Sequence, residues 1–143
     1  MLKIRGSGVS DQRKVAIHRQ QDARELQNSG RWRGAMYLLG YAVECGLKAR
    51  LMERHGLVNL EELQRYLARR LGRKIDVFTH SLHLLMEWTF AGNRITREQR
   101  TSWGIVRTWR VEWRYDPDAA SQQECHSFFE ACQTAMRFIQ RSL

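Results

Sequence analysis

The chain has 143 residues and a mass of 16.9 kDa, and its 43% hydrophobic and 27% charged residues are typical of one globular domain rather than a disordered chain. Three cysteines, an odd number, argue against a disulfide framework and favour the reducing cytoplasm. Twenty-four basic residues against fifteen acidic ones give a net charge of +9, which favours a polyanion or an acidic protein as partner.

No apolar segment approaches the roughly 20 residues that a membrane span requires. The first segment, MLKIRGSGVSDQRK, lacks an apolar core of signal-peptide length. We therefore expect a cytoplasmic protein with no membrane partner.

The hydrophobic pattern is helical nearly throughout and predicts an all-α, antiparallel up-and-down bundle of five to six helices. The first helix, residues 10–28, has few apolar positions, so we treat 1–30 as a peripheral N-terminal segment before a bundle over 31–143. The second, residues 32–55, is apolar over most of its circumference, which predicts a central position. Its narrow polar band contains Glu44 and Lys48, spaced for an i,i+4 ion pair.

Four further helices are predicted over residues 60–71, 79–90, 97–113 and 117–141. Thr96 and Gln99 have the spacing of a capping box at the start of the fifth helix. Asp116 as cap and Pro117 at the first helical position predict the start of the last one.

One face of the predicted fifth helix carries a tryptophan and three arginines at i+3 and i+4 spacing. These residues are Trp103, Arg107, Arg110 and Arg114, and Tyr115 follows them. Guanidiniums in this arrangement suit phosphates, while the indole suits a stacked base. The alternative is a solvated face, in which Trp103 covers the core and the arginines pair with Glu112 or Asp116.

A second basic cluster spans the end of the third helix and the loop after it. It consists of Arg65, Arg69, Arg70, Arg73 and Lys74, with no acidic residue among them. Part of this charge complements the helix dipole at a C-terminus. The cluster is the strongest anion-attracting candidate in the sequence.

The histidines suggest little metal chemistry. His80 and His83 have the i,i+3 spacing that two ligands of one metal can use, but no third ligand lies near them in the sequence. We therefore expect neither a metal site nor a cofactor, and we expect His80 to be a structural hydrogen-bonding residue at a helix start. Phosphate-loop and hydrolase motifs do not occur.

Arg50 and His55 form an R-x4-H pair near the end of the second helix. A histidine that moves the 2′-hydroxyl proton and an arginine that stabilises the transition state can cleave RNA without a metal. On a helix, however, five residues direct the two side chains about 140° apart. The alternative is that both are ordinary surface or helix-terminal residues.

Three segments carry a family resemblance, in matching order and spacing. They are AMYLLGYAVECGLKARLMERHG, THSLHLLMEW and WRYDPDAASQQECHSFFEACQTAMRFIQ. They resemble the long core helix with its A-x-E-x-x-LKA pattern, the short histidine-led helix, and the arginine-tyrosine-proline turn with the final helix of the HEPN (higher eukaryotes and prokaryotes nucleotide-binding) domain. The resemblance covers about residues 32–141.

The resemblance implies a helical bundle that dimerises and that is encoded beside a minimal nucleotidyltransferase or within a defence or toxin–antitoxin system. Many members are RNases, with an R-x4-6-H motif before the last helix in a cleft at the dimer interface. Here the corresponding stretch, RTWRVEWRYDP, has Arg107, Arg110 and Arg114 but no histidine. This departure points to the non-catalytic branch, which binds nucleotides or a partner protein.

Our leading hypothesis is therefore a non-catalytic, homodimeric module that binds a nucleotide, RNA or a nucleotidyltransferase partner through arginines in an open cleft. It requires that neighbouring carboxylates do not occupy these arginines, and that no histidine reaches them. The alternative is a metal-independent RNase that uses Arg50 or Arg110 with His55 or His80. A third possibility is a purely structural dimerisation domain.

Overall fold

The computed structural model describes residues 6–90 and 95–141. Within them the chain forms six α-helices and no strand, which confirms the predicted all-α helical bundle. The helices are α1 Val9–Asn28, α2 Trp32–Arg54, α3 Leu60–Leu71, α4 Leu82–Phe90, α5 Arg97–Val106 and α6 Gln122–Arg141. A short 3₁₀ helix, Val111–Tyr115, lies between α5 and α6.

Helix α2 is the central element, as its apolar circumference predicted. It contacts α1, α3, α4, α6 and the 3₁₀ helix. Most of its residues between Ala35 and Met52 are consequently buried, and they supply a large part of one continuous apolar core.

Helix α1 packs along α2 but buries only Ala16 and Ala23 completely. Its N-terminal end is also tied to the start of α3 by backbone hydrogen bonds. The Val9 amide donates to the Val58 carbonyl, and the Leu60 amide donates to the Ser7 carbonyl, each at 3.0 Å.

Two predicted caps form as the sequence indicated. Asn59 accepts a hydrogen bond from the Glu62 amide at 2.9 Å, which starts α3. Thr96 and Gln99 form a complete capping box at the start of α5.

The predicted end of the fifth helix is wrong, because α5 ends at Val106 rather than at residue 113. Trp109 turns inward and is only 3% exposed. Its indole Nε1 donates a hydrogen bond to the Tyr37 carbonyl at 3.0 Å. Because this contact pulls the backbone towards α2, the helix cannot continue, and the chain forms the 3₁₀ helix instead.

The predicted start of the last helix is also wrong. Helix α6 begins at Gln122, and Pro117 lies outside it. The Asp116 carboxylate accepts a hydrogen bond from the Asp118 amide at 2.9 Å, so that it closes a local turn rather than capping a helix. Ser121 caps α6 instead, because its hydroxyl accepts from the Glu124 amide at 3.0 Å.

A candidate polyanion site around His80 and Arg114

A buried ion pair lies at the centre of α2. Lys48 Nζ is 3.0 Å from Glu44 Oε2, which confirms the predicted i,i+4 pair. Both residues are almost fully buried, at 3% and 4% exposure. Charges removed from water cost several kcal/mol each, so such a pair needs further hydrogen bonds to satisfy its remaining atoms.

His80 supplies such a bond to Glu44 across 36 positions of sequence: its Nδ1 lies 2.8 Å from Glu44 Oε1. Because an ionised carboxylate can only accept, the proton of a neutral His80 lies on Nδ1, and Nε2 carries the lone pair. The His80 side chain is 47% exposed. Glu44 therefore orients a half-exposed imidazole whose second nitrogen is an acceptor. The structural hydrogen bond expected of His80 is formed.

Two tyrosines of α2 connect this histidine to the chain after α5. The Tyr41 ring contacts the His80 ring edge-on at 5.8 Å and the Trp109 ring at 5.3 Å. Tyr37 stacks on Trp109 at 6.1 Å. Burial, the hydrogen bond with Tyr37 and the charge of Glu44 raise the pKa of Tyr41 to about 12. The Tyr41 hydroxyl therefore stays protonated at neutral pH.

Arg114 reaches the same tyrosines from the 3₁₀ helix. Its guanidinium interacts electrostatically with Tyr37 and lies 4.7 Å over the ring of Tyr115. It also interacts electrostatically with Tyr41. Tyr41 thus neighbours both His80 and Arg114, which places these two residues on one part of the surface.

A second histidine, His83, contacts a second arginine, Arg107. Arg107 Nη1 is 3.3 Å from His83 Nδ1, and His83 Nε2 is 3.3 Å from Glu87 Oε1. Since a guanidinium only donates, His83 Nδ1 accepts and its Nε2 carries the proton. The expectation that no histidine reaches these arginines is therefore wrong for Arg107, and the absence of a histidine no longer supports a non-catalytic role.

We call this surface the arginine–histidine face. Arg107 precedes the buried Trp109 by two residues, and His83 follows His80 by three. The face consists of Tyr41, His80, His83, Arg107 and Arg114.

Carboxylates do not neutralise the arginines of this region. Among the described residues, none of the ion pairs involves Arg107, Arg110 or Arg114. Asp116 pairs instead with Arg33, at 3.7 Å. The part of the alternative in which Glu112 or Asp116 pairs with the three arginines is therefore wrong, whereas its buried Trp103 is confirmed.

Trp103 does not belong to this face, contrary to the predicted stripe. It is buried, stacks on Phe90 at 4.4 Å and contacts Phe138 edge-on at 5.4 Å. The predicted stripe required one helix through residue 113, and α5 ends before it. Tyr115, by contrast, is 73% exposed and available to a base.

The second basic cluster lies elsewhere, at the end of α3. All its members are exposed, and in the described ranges they make no ion pair: they are Arg65, Arg69, Arg70, Arg73 and Lys74. Arg70 donates to the Tyr66 hydroxyl at 2.9 Å. The cluster is thus a second cationic surface, which the structure does not connect to the arginine–histidine face.

The R-x4-H pair of α2 is not brought together. Arg50 is buried and lines a cavity of about 310 Å³ between α1, α2 and α6. The His55 ring instead packs on Tyr66 of α3 at 4.5 Å. The Arg50 and His55 side chains therefore lie in different surroundings, and the structure offers no shared site for them.

The cysteines take no part in the site. Cys45, Cys125 and Cys132 are free and buried. Burial, with a smaller contribution from Glu44, raises the pKa of Cys45 to about 11. Over residues 6–90 and 95–141, no three histidine, cysteine or acidic side chains are grouped closely enough to hold a metal ion.

The face and the side chains that support it include residues that the sequence did not single out. Tyr37 and Tyr41 read as part of an apolar helix, and the pairing of Glu44 with His80 was not foreseen. A glutamate inside an otherwise apolar helix was the available signal, because a buried carboxylate requires partners. Sequence spacing could not identify His80 as one of them.

Comparison with protein-family models, curated proteins and solved structures finds no match for this chain. The resemblance to the HEPN domain therefore depends on the three sequence segments alone. Within the described ranges, none of the helices combines the length and apolar character needed to cross a membrane.

Proposed function

We propose that the protein is a binding module for single-stranded RNA, and that the arginine–histidine face contacts the phosphates. The observation that carries this proposal is a pair of exposed guanidiniums, Arg107 and Arg114, without a carboxylate partner in the described chain. Arg107 also contacts the imidazole of His83. A guanidinium binds phosphate with two parallel hydrogen bonds. The net charge of +9 adds long-range attraction to a polyanion.

The choice of a single strand depends on the aromatic side chains. The Arg114 guanidinium lies over one face of the exposed Tyr115 ring, and a base can stack on the other face. Stacking on an aromatic side chain contributes about 1–3 kcal/mol per base and requires an unpaired base. Arg110, which lies between Arg107 and Arg114 in the chain, extends the proposed phosphate contact. A separate cationic surface adds attraction to the polyanion, and it consists of Arg69, Arg70, Arg73 and Lys74.

Fluorescence anisotropy with a labelled single-stranded RNA tests this function. We expect the R107A/R114A double variant to bind more weakly, with a slope of log K against log salt that is smaller by about 0.7 for each lost phosphate contact. The matched control is R24A/R137A, which removes two exposed arginines from α1 and α6. Equal weakening in both double variants would show that only net charge matters.

The HEPN resemblance adds two partners to this proposal: a second copy of the chain and a nucleotidyltransferase-type protein of a defence or toxin–antitoxin system. Light scattering coupled to size-exclusion chromatography measures whether the chain dimerises. Co-purification with the product of the adjacent gene tests the nucleotidyltransferase-type partner. A monomer at all concentrations would remove the homodimer from the proposal.

A second candidate function, metal-independent RNA cleavage, is favoured by the Glu44–His80 hydrogen bond. A carboxylate that holds Nδ1–H leaves Nε2 as a base for a 2′-hydroxyl proton, and Arg114 or Arg110 would stabilise charge on the phosphate. Incubation of RNA with excess protein and a chelator distinguishes the functions. Cleavage by the wild type and not by H80A supports catalysis, and intact RNA in both excludes it.

A further inference from the structure

We propose that His80 selects RNA over DNA by accepting a hydrogen bond from a ribose 2′-hydroxyl at Nε2. This inference rests on the proposed function and names the sugar that the same face recognises. It starts from the tautomer of His80 rather than from its charge.

The Nδ1–H of His80 donates a hydrogen bond to the buried Glu44 carboxylate. In the neutral ring, Nε2 can then only accept a hydrogen bond. Phosphate oxygens of the backbone are acceptors too, so they do not complement this nitrogen. The group that His80 recognises must carry a hydrogen.

The position of His80 indicates which group this is. Tyr41 contacts the His80 ring and also interacts electrostatically with Arg114. A phosphate held by Arg114 therefore brings the adjoining sugar towards His80. In the sugar–phosphate backbone of RNA the 2′-hydroxyl is the hydrogen-bond donor, and the DNA backbone has none.

The acceptor is also held in place before the ligand arrives. Lys48 occupies the other oxygen of Glu44 at 3.0 Å, so the carboxylate is anchored from both sides. The Tyr41 ring packs against His80 and limits its rotation. Because the imidazole is already oriented, little entropy is lost when the hydroxyl binds.

Anisotropy measurements with three strands of one sequence, as RNA, 2′-O-methyl RNA and DNA, test this inference. We expect the wild type to prefer RNA about tenfold over the other two, as one net hydrogen bond of typical strength would produce. H80F keeps an aromatic ring against Tyr41 but has no Nε2, so it should bind all three strands alike. H126A removes an exposed histidine of α6 and should keep the preference.

A second variant, E44Q, tests the tautomer itself and is measured once circular dichroism has shown that it keeps its helices, because it removes the counter-charge of the buried Lys48. In E44Q the amide oxygen can accept from Lys48 while the amide nitrogen donates to Nδ1, so the proton of His80 moves to Nε2. An Nε2–H donates, and the 2′ oxygens of RNA and of 2′-O-methyl RNA both accept, so the preference for RNA over the 2′-O-methyl strand should vanish while binding to all three strands persists. Long-range ¹⁵N–¹H correlation spectra show which nitrogen carries the proton in the wild type and in E44Q.

The outcomes distinguish failure of the His80 inference from failure of the proposed RNA-binding function. Equal binding of RNA and DNA by the wild type, a preference for RNA that survives in H80F, or a preference for RNA over 2′-O-methyl RNA that survives in E44Q overturns the role of His80 and leaves the RNA-binding function standing. Absence of binding to any strand overturns the proposed function itself.

Discussion

The indole ring of Trp109 lies directly on the backbone of Gly40. A methyl group on Gly40 would fall 2.0 Å from the ring, well inside van der Waals contact. The indole also donates its hydrogen bond to Tyr37, one turn earlier in α2. This contact sets the path of the chain after α5 and, with it, the positions of Arg107 and Arg114.

Gly40→Ala should therefore displace Trp109 and destabilise the fold by about 1–3 kcal/mol, the usual effect of overpacking a core. Urea unfolding measures the loss, and tryptophan fluorescence reports the displaced ring. Gly46→Ala is the matched control on the same helix, because a methyl group there meets nothing within 4 Å. It should stabilise the protein by about 0.5–1 kcal/mol. Equal effects of the two substitutions would contradict the contact.

Lys48→Met should destabilise the protein by about 3–5 kcal/mol, because it leaves the buried Glu44 carboxylate without its main counter-charge. The double variant Glu44→Leu/Lys48→Met should recover most of this loss, since it buries no charge at all. Denaturant unfolding of the single and double variants provides the measurement. A double variant as unstable as the single one would show that packing, rather than charge, causes the loss.

Stability should also depend on pH through His55. Burial, and then the charges of Arg54 and Arg70, lower the pKa of His55 below 6.5. The unfolded chain therefore binds this proton more readily than the folded one. The contribution of His55 to stability is complete above about pH 6.5 and is lost as the pH falls towards the folded-state pKa.

His55→Phe keeps a ring against Tyr66 but cannot titrate. Between pH 7.5 and pH 5, the free energy of unfolding should fall less in this variant than in the wild type. Urea titrations at both pH values measure the difference. Parallel losses in the two proteins would show that His55 has no part in the pH dependence.

The thiols should be unreactive in the folded protein. Burial raises the pKa of Cys45 to about 11 and that of Cys132 well above its usual value, so few thiolates exist at pH 8. With an aromatic disulfide reagent at pH 8, we expect slow release of chromophore from the native chain and rapid reaction of three thiols in denaturant. A fast reaction of Cys45 in the native protein would show that the helices open locally around it.

The helices themselves could be predicted from the sequence where local chemistry decides the outcome. Asn59 and Thr96 cap helices as expected because their side chains bond amides only three residues away. The end of α5 could not be predicted in this way. Trp109 fits a helical core stripe, but its bond to Tyr37 crosses 72 positions and overrides the local pattern.

The start of α6 shows the same limit. Asp116 followed by Pro117 suits a helix start, yet the same aspartate also suits a local turn. The pairing of Arg33 with Asp116 favours the turn, and that partner comes from α2. The candidate site was more difficult to predict than the helix ends. Glu44 and His80 are each recognisable in the sequence as polar residues, but their hydrogen bond exists only in the folded chain.

Helix α1 is attached to the rest of the protein at both ends, and this affects where the polypeptide can be cleaved into two fragments. The turn at Gly30 joins α1 to α2 at one end, while Val9 bonds to Val58 at the other, and apolar packing lies between them. Cleavage at Gly30 would remove only the first of these attachments. The excised peptide should dock again on the remainder, which makes this protein suited to fragment complementation with a break at that turn.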